Sequence, residues 1–178
     1  MPSLTPFTAS HFDLLIGWFG TRADLVQWGG PMLDFPLSRT QLDGMLEDGR
    51  PDPPARLCWM AESAGEPVGH VQLAFDWRNG NALLSRVAIA PGMRGRGLAG
   101  PMIGLVIEEA FRFLAVERLE LNVYTWNEPA IRTYQRLGFV PEGVRRASAL
   151  VDGERWDTAM MSLLRTELPG SRLPAPGA

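Results

Sequence analysis

An apolar run passes through a glycine-rich turn directly into an amphipathic segment at Val87-Ala88-Ile89-Ala90-Pro91-Gly92-Met93-Arg94-Gly95-Arg96-Gly97-Leu98-Ala99-Gly100. This stretch constrains the chain more than any other. Ala82 to Ile89 is nearly continuous in apolar character, the pattern of a central strand covered on both faces. From about Leu98 to Val116, the residues Leu98, Met102, Leu105, Ile107, Phe111 and Leu114 predict a helix by their spacing. Pro101 falls in its first turn, where a missing N–H does least harm. A helix start leaves backbone N–H groups without partners and carries the positive end of the helix dipole. Glycines let an anion come close to such a backbone because no Cβ stands in the way. Arg94 and Arg96 add positive charge at the same place. A plain surface turn with two solvated arginines needs fewer glycines than the four between Gly92 and Gly100. The reading is a phosphate-binding turn.

The flanking sequence supplies the frame. Leu14, Leu15, Trp18 and Phe19 predict a short helix with Ser10 as its N-cap. Leu37 to Leu46 predicts a second, with Ser38 and Gln41 in a capping-box relation. Gln27-Trp28-Gly29-Gly30-Pro31, between them, reads as a loop. Leu57 to Glu62 and Val68 to Phe75 predict a hairpin around Gly65-Glu66, and Asn79-Gly80 turns the chain into the apolar run. Leu119 to Tyr124 predicts a strand, and Pro129 to Leu137 a helix capped by Asn127 and stopped at Gly138. Phe139 to Glu142, Ala147 to Val151 and Trp156 to Leu164 supply further strands, the last two joined at Asp152-Gly153. The fold class is α+β: a single mixed, mostly antiparallel twisted sheet with helices on both faces. Residues 1–168 form the domain, and the Pro- and Gly-rich 169–178 read as a flexible tail.

Composition narrows the function classes. With 178 residues, 46% hydrophobic and 21% charged, the chain can bury a core unaided. A single cysteine, Cys58, excludes an intrachain disulfide and a cysteine-rich zinc site. A formal charge of −3 argues against a nucleic-acid binder. No apolar run approaches the ~20 residues that span a bilayer, and Met1 to Gly20 lacks a secretory pattern, so a cytoplasmic location is expected. Neither His11 nor His70 sits in a metal-ligand motif, and no metal is expected.

Gly95-Arg96-Gly97-Leu98-Ala99-Gly100 also matches G-x-G-x-x-G, and Glu120 lies at the downstream spacing of a dinucleotide fingerprint. An NAD(P)-dependent oxidoreductase is therefore an alternative. Against it, the preceding strands read as an antiparallel meander and Glu120 sits inside its strand.

Arg94-Gly95-Arg96-Gly97-Leu98-Ala99 resembles the Arg/Gln-x-x-Gly-x-Gly/Ala signature of the GNAT superfamily of acyl-CoA-dependent N-acyltransferases. Val87 to Pro91 resembles that family's strand and its valine/isoleucine-x-proline turn. Asn127 to Phe139, with Tyr134 and the closing Leu137-Gly138-Phe139, is similar to its second motif. Glu142 to Arg145, Asp152 to Asp157 and Met161 resemble the branch that acetylates ribosomal-protein N-termini. The resemblance spans roughly 4–168.

The resemblance implies acetyl-CoA as co-substrate and direct transfer of its acetyl group to a primary amine, on a protein N-terminus or a small molecule. The coenzyme's pyrophosphate would lie on the backbone of Arg94, Gly95, Arg96, Gly97, Leu98 and Ala99. Its pantetheine arm would add to the strand at Val87, Ala88 and Ile89 and pass near Asn127. Tyr134 is the implied acid for the departing thiolate; its other role is core packing. For the base, the strand region Ala82-Leu83-Leu84-Ser85 holds none of the carboxylates that some relatives place there. Glu120, Asn122 and Asp76 are the candidates, with Glu120 preferred through a water. Cys58 reads as a structural thiol. The Gln27 to Met32 segment and the Asp152-Gly153 hairpin are expected to form the acceptor pocket, with Trp28 in it. A CoA-binding sensor without catalysis is the other reading, and the resemblance allows a homodimer.

Overall fold

The computed structural model describes residues 2–168; the expected tail at 169–178 lies outside them. Seven strands form one sheet: β1 (Ser3–Pro6), β2 (Arg56–Ser63), β3 (Glu66–Asp76), β4 (Asn81–Ile89), β5 (Arg118–Tyr124), β6 (Val140–Val151) and β7 (Glu154–Leu164). Their order is β1-β2-β3-β4-β5-β7-β6, and only the β4–β5 pair is parallel. The sheet is therefore mixed and mostly antiparallel, as the sequence predicts.

Five helices cover it: α1 (Phe12–Ile16), α2 (Arg22–Gly29), α3 (Arg39–Glu47), α4 (Ala99–Arg112) and α5 (Glu128–Arg136). Strand alternation sorts the residues between two faces. Ala61, Val71, Leu73, Leu84, Leu119 and Leu121 pack with Met102, Ile103 and Val106 of α4 and Tyr134 of α5. Met60 turns the other way, into a second core with Leu15, Leu25, Trp28 and Leu42 of α1 to α3. Burying such a side chain contributes roughly 1.5–3 kcal/mol.

Three local expectations are corrected. The segment read as a loop from Gln27 carries the end of α2, which runs to Gly29. Thr21 and Asp24 start that helix with a capping box: the Thr21 Oγ1 accepts from Asp24 N at 3.1 Å, and Asp24 Oδ2 accepts from Thr21 N at 3.2 Å. Ser10 is not a cap; it lies in a 3-10 turn, Ala9–His11, that begins after Thr8. The strands expected at 139–142 and 147–151 are one continuous β6, whose register shifts at Pro141/Gly143 and Arg145/Ala149 absorb the breakers. In addition, α4 stops at Arg112 rather than near Val116, because the guanidinium of Arg165 donates to the carbonyls of Phe111, Phe113 and Val116.

Candidate active site

β4 and β5 pair only from Asn81↔Arg118 to Leu84↔Leu121. Beyond that point both strands remain attached to their outer neighbours, through Ala88↔His70 and Ile89↔Gly69 on one side and Asn122↔Met160 on the other. The sheet is consequently split, and each strand presents an open edge to the gap. A bulge in β4 reinforces the split. Arg86 takes a left-handed backbone, φ 51°, and the register with β3 shifts between His70 and Gln72. The carbonyl of Arg86 at that bulge accepts from Trp28 Nε1 at 2.7 Å.

The gap is a cleft of about 360 Å³ that reaches both faces of the sheet. Phe19, Asp24, Gln27 and Trp28 line it on the α2 side, and Ala99, Ile103, Asn127, Thr133 and Tyr134 on the side of α4 and α5. Val87, Ala88 and Ile89 form one wall; Asn122, Val123 and Tyr124 form the other. Arg94 and Gly95 close one end. A second cavity, about 350 Å³, adjoins it on the α2 face and shares Trp28, Ser85, Arg86 and Asn122 with it.

The glycine turn leads into α4 as expected. Gly95 and Gly97 have φ of 76° and 73°, a region L-residues with side chains enter only under strain. A Cβ at either position would meet nothing within 4 Å. These glycines therefore serve the backbone and the space above it, not core packing. Among the described residues, the N–H groups of Arg96, Gly97 and Leu98 donate to no backbone carbonyl, and the first turn of α4 follows immediately. Arg94 Nε reaches back to the carbonyl of Ile89 at 3.4 Å.

Tyr134 packs edge-on against Phe139, with ring centroids 5.8 Å apart. Its ring is buried among the core residues, yet it lines the cleft, and among the described residues no group hydrogen-bonds its hydroxyl. Burial pushes the phenol above its ordinary range, so it is fully protonated at neutral pH. Asn127 caps α5, its Oδ1 accepting from Ala130 N at 3.3 Å, and lines the cleft at the same time.

Other expected residues lie elsewhere. Glu120 faces Leu83 in the paired part of β5, below the split, and lines neither cavity. Its Oε2 accepts from Arg118 Nε at 3.0 Å, and the same guanidinium binds Glu142 at 2.7 Å. The carboxylate expected as the base is thus engaged by Arg118 and lies outside the cleft. Asp76, at the end of β3, accepts from Asn79 and also lines neither cavity. Of the three base candidates, Asn122 alone lines the cleft. Among the described residues, the only carboxylate lining either cavity is Asp24. Thr21, three positions before Asp24, was the sequence signal for it.

His70 is fully buried against Phe7 and Trp28, and its Nδ1 donates to the Arg86 carbonyl at 3.2 Å. Burial, reinforced by nearby Arg86 and His11, lowers its pKa to about 3, so it is neutral and structural. Cys58 is largely buried, and burial raises its thiol to about 11, which leaves no thiolate for nucleophilic chemistry. In the expected acceptor region, Gln27 to Pro31 line the second cavity, whereas Asp152 and Gly153 do not; Arg145 and Ser148, deeper in the same hairpin, do.

β4, α4 and β5 make one βαβ unit, but the strands on either side of it are antiparallel. The doubly wound parallel array of a dinucleotide-binding enzyme is absent from the described sheet.

The crystal structure of spermidine N-acetyltransferase from Vibrio cholerae in complex with CoA and spermine shares the fold: TM-score 0.80, 22% identity, covering 93% of this chain and 96% of that one. The acetyltransferase (GNAT) family model matches residues 24–139. The L-amino acid N-acetyltransferase of Escherichia coli K12 is 30% identical over 125 residues, 69% of this chain and 77% of that protein. The spermidine N(1)-acetyltransferase of the same organism is 28% identical over 126 residues, 67% of this chain and 68% of its own length. The chain belongs to the acetyltransferase (GNAT) family: it is an acyl-CoA-dependent N-acetyltransferase.

Proposed function

We propose that the split between β4 and β5 binds acetyl-CoA and passes its acetyl group directly to the primary amine of a small molecule. The observation that carries this reading is the open strand edge at Val87 to Ile89, which runs into the left-handed glycines Gly95 and Gly97. An extended pantetheine arm can pair with such an edge as an added strand would. The pyrophosphate at its far end then meets the free N–H groups and dipole of the turn, with Arg94 and Arg96 beside it. This supports the whole stretch from Arg94 to Ala99 as the coenzyme site.

The reaction joins the amine nitrogen to the thioester carbonyl carbon and breaks the carbon–sulfur bond. The electron pair leaves on sulfur, and Tyr134 supplies its proton. A neutral, buried phenol with no protein partner suits that role, because its proton is held until a thiolate forms beside it. The amine enters from the α2 side, where the second cavity opens. It loses its proton to solvent or to Asp24, which lines the first cleft on that side.

A small-molecule acceptor is supported by the relatives, which are named for an amino acid and for spermidine. The finer resemblance to the ribosomal-protein branch would instead place a protein N-terminus in the second cavity. The domain boundary near residue 168, a cytoplasmic location and a homodimer remain parts of the same proposal. Among the described residues no helix is long and apolar enough to cross a membrane.

Calorimetric titration tests the site. Acetyl-CoA and CoA should bind with one site per chain, and NAD(P) should give no heat. Binding of NAD(P) without CoA binding would overturn the proposal.

A further inference from the structure

The second cavity has an unusual charge inventory. Three guanidinium groups line it, those of Arg56, Arg86 and Arg145, and among the described residues no carboxylate does. Arg56 is neutralised by Asp48 at 3.1 Å. The other two have no acidic partner among the described residues. Arg86 donates from Nη1 to the neutral amide of Gln72 at 2.8 Å and lies over the ring of Trp28, while its Nε is buried with no hydrogen-bond partner at all. Arg145, on β6, donates to Asn122 Oδ1 at 2.6 Å and is otherwise exposed to the cavity mouth. Ser85 Oγ, on the shared wall, is likewise buried and unpartnered.

A buried guanidinium without a counter-ion is costly in a folded chain unless a ligand completes it. Guanidinium groups also match carboxylates in geometry, through paired N–H donors. A polycationic acceptor would meet repulsion from both arginines at this wall.

We propose that the acceptor carries a carboxylate beside its amine, and that Arg86 and Arg145 hold this carboxylate in the second cavity while the amine points into the split. The volume, about 350 Å³, suits a free amino acid or a similarly small amino acid derivative. Burial brings the Arg86 pKa down to about 10, which leaves it charged at neutral pH and able to serve. The inference rests on the acetyltransferase reading of the adjoining cleft.

The test compares acetyl acceptors that differ only in this group. Release of the CoA thiol is followed with L-amino acids, with their matched α-carboxamides and with spermidine, alongside calorimetric titration of acetyl-CoA. The expected result is a kcat/KM for the best amino acid at least tenfold above that of its carboxamide and above that of spermidine. Arg145→Gln should raise the amino acid KM about tenfold, leave kcat and acetyl-CoA binding unchanged, and leave the carboxamide KM where it was. Arg145→Lys should recover part of the loss. Equal use of acid and carboxamide, preference for spermidine, or no turnover of any amino acid by a protein that binds acetyl-CoA would overturn the carboxylate assignment alone. Failure to bind acetyl-CoA would overturn the cleft reading and this inference with it.

Discussion

Trp28 of α2 donates from its indole Nε1 to the backbone carbonyl of Arg86, 2.7 Å away, at the bulge where β4 departs from β5. One hydrogen bond thus ties α2 to the split edge of β4. Trp28→Phe keeps an aromatic stack on Phe19 but removes the shorter of that carbonyl's two hydrogen bonds, leaving only the 3.2 Å one from His70 Nδ1. Stability should fall by about 1–2 kcal/mol, and the acceptor KM should rise several-fold. Acetyl-CoA affinity should stay within about twofold of wild type, since Trp28 packs in the core of α1 to α3 while the glycine turn leads into α4 on the other face. Denaturant unfolding and steady-state kinetics read both effects; unchanged kinetics would leave Trp28 as core packing.

Gly97→Val separates backbone strain from ligand approach. With φ at 73° and open space around its Cα, the substitution should cost the free protein roughly 1–3 kcal/mol from its backbone alone. The branched side chain would occupy the space a phosphate needs. Calorimetry should therefore show acetyl-CoA binding abolished in a protein that still unfolds cooperatively. Wild-type affinity in this variant would remove the pyrophosphate from the turn.

Tyr134→Phe deletes a hydroxyl that no described group hydrogen-bonds, so the melting temperature should barely move. With acceptor saturating and chemistry limiting, kcat should drop roughly 10²-fold, a usual magnitude for a general acid. Acetyl-CoA affinity should be unaffected. A wild-type kcat would make Tyr134 a packing residue only.

His70 predicts a pH signature in stability. Its folded pKa, about 3, lies below the ordinary value of 6.5, so the folded state favours the neutral ring. The stabilisation is complete above pH 6.5 and is lost as the pH falls toward 3, where only the unfolded chain takes up the proton at first. Between pH 7.5 and 5.0 the loss should be about 2 kcal/mol. Denaturation midpoints across that window should show it in wild type and lack it in His70→Gln. An equal pH slope in both proteins would move the effect to another group.

Local chemistry made much of this molecule legible. Ser38 with Gln41, Asn127 with Gly138, and the alternating β2–β3 hairpin announced their elements because each signal lies within a few residues of its effect. The turn at Arg94 to Ala99 was visible for the same reason. What escaped was set by distant partners. Trp28-Gly29-Gly30-Pro31 looks like a loop, but Trp28 and Gly29 are held in α2 by packing on the sheet and by the cap at Thr21. Pro141 and Gly143 suggested separate strands, whereas β6 is an edge strand that accommodates them at bulges. The end of α4 is fixed by Arg165, some fifty residues further on by its separation from Val116.

The site divides along the same line. The glycine turn and α5 were readable as local structure, but which carboxylate reaches the cleft was not. Glu120 is a carboxylate on β5, which walls the cleft, and only the β4–β5 register shows that it lies below the split. The unpaired state of Arg86 depends on a bulge, on Gln72 across the sheet and on Trp28 above it. No spacing in the sequence encodes that.

Direct transfer is the central claim, and intact-protein mass spectrometry combined with thiol release tests it most directly. The protein is mixed with acetyl-CoA alone, and then an amine acceptor is added. The account predicts an unmodified chain in the first step, followed by N-acetylated amine and free CoA in equal amounts in the second. An acetyl group covalently attached to the chain before the amine arrives, and passed on to it afterwards, would contradict it.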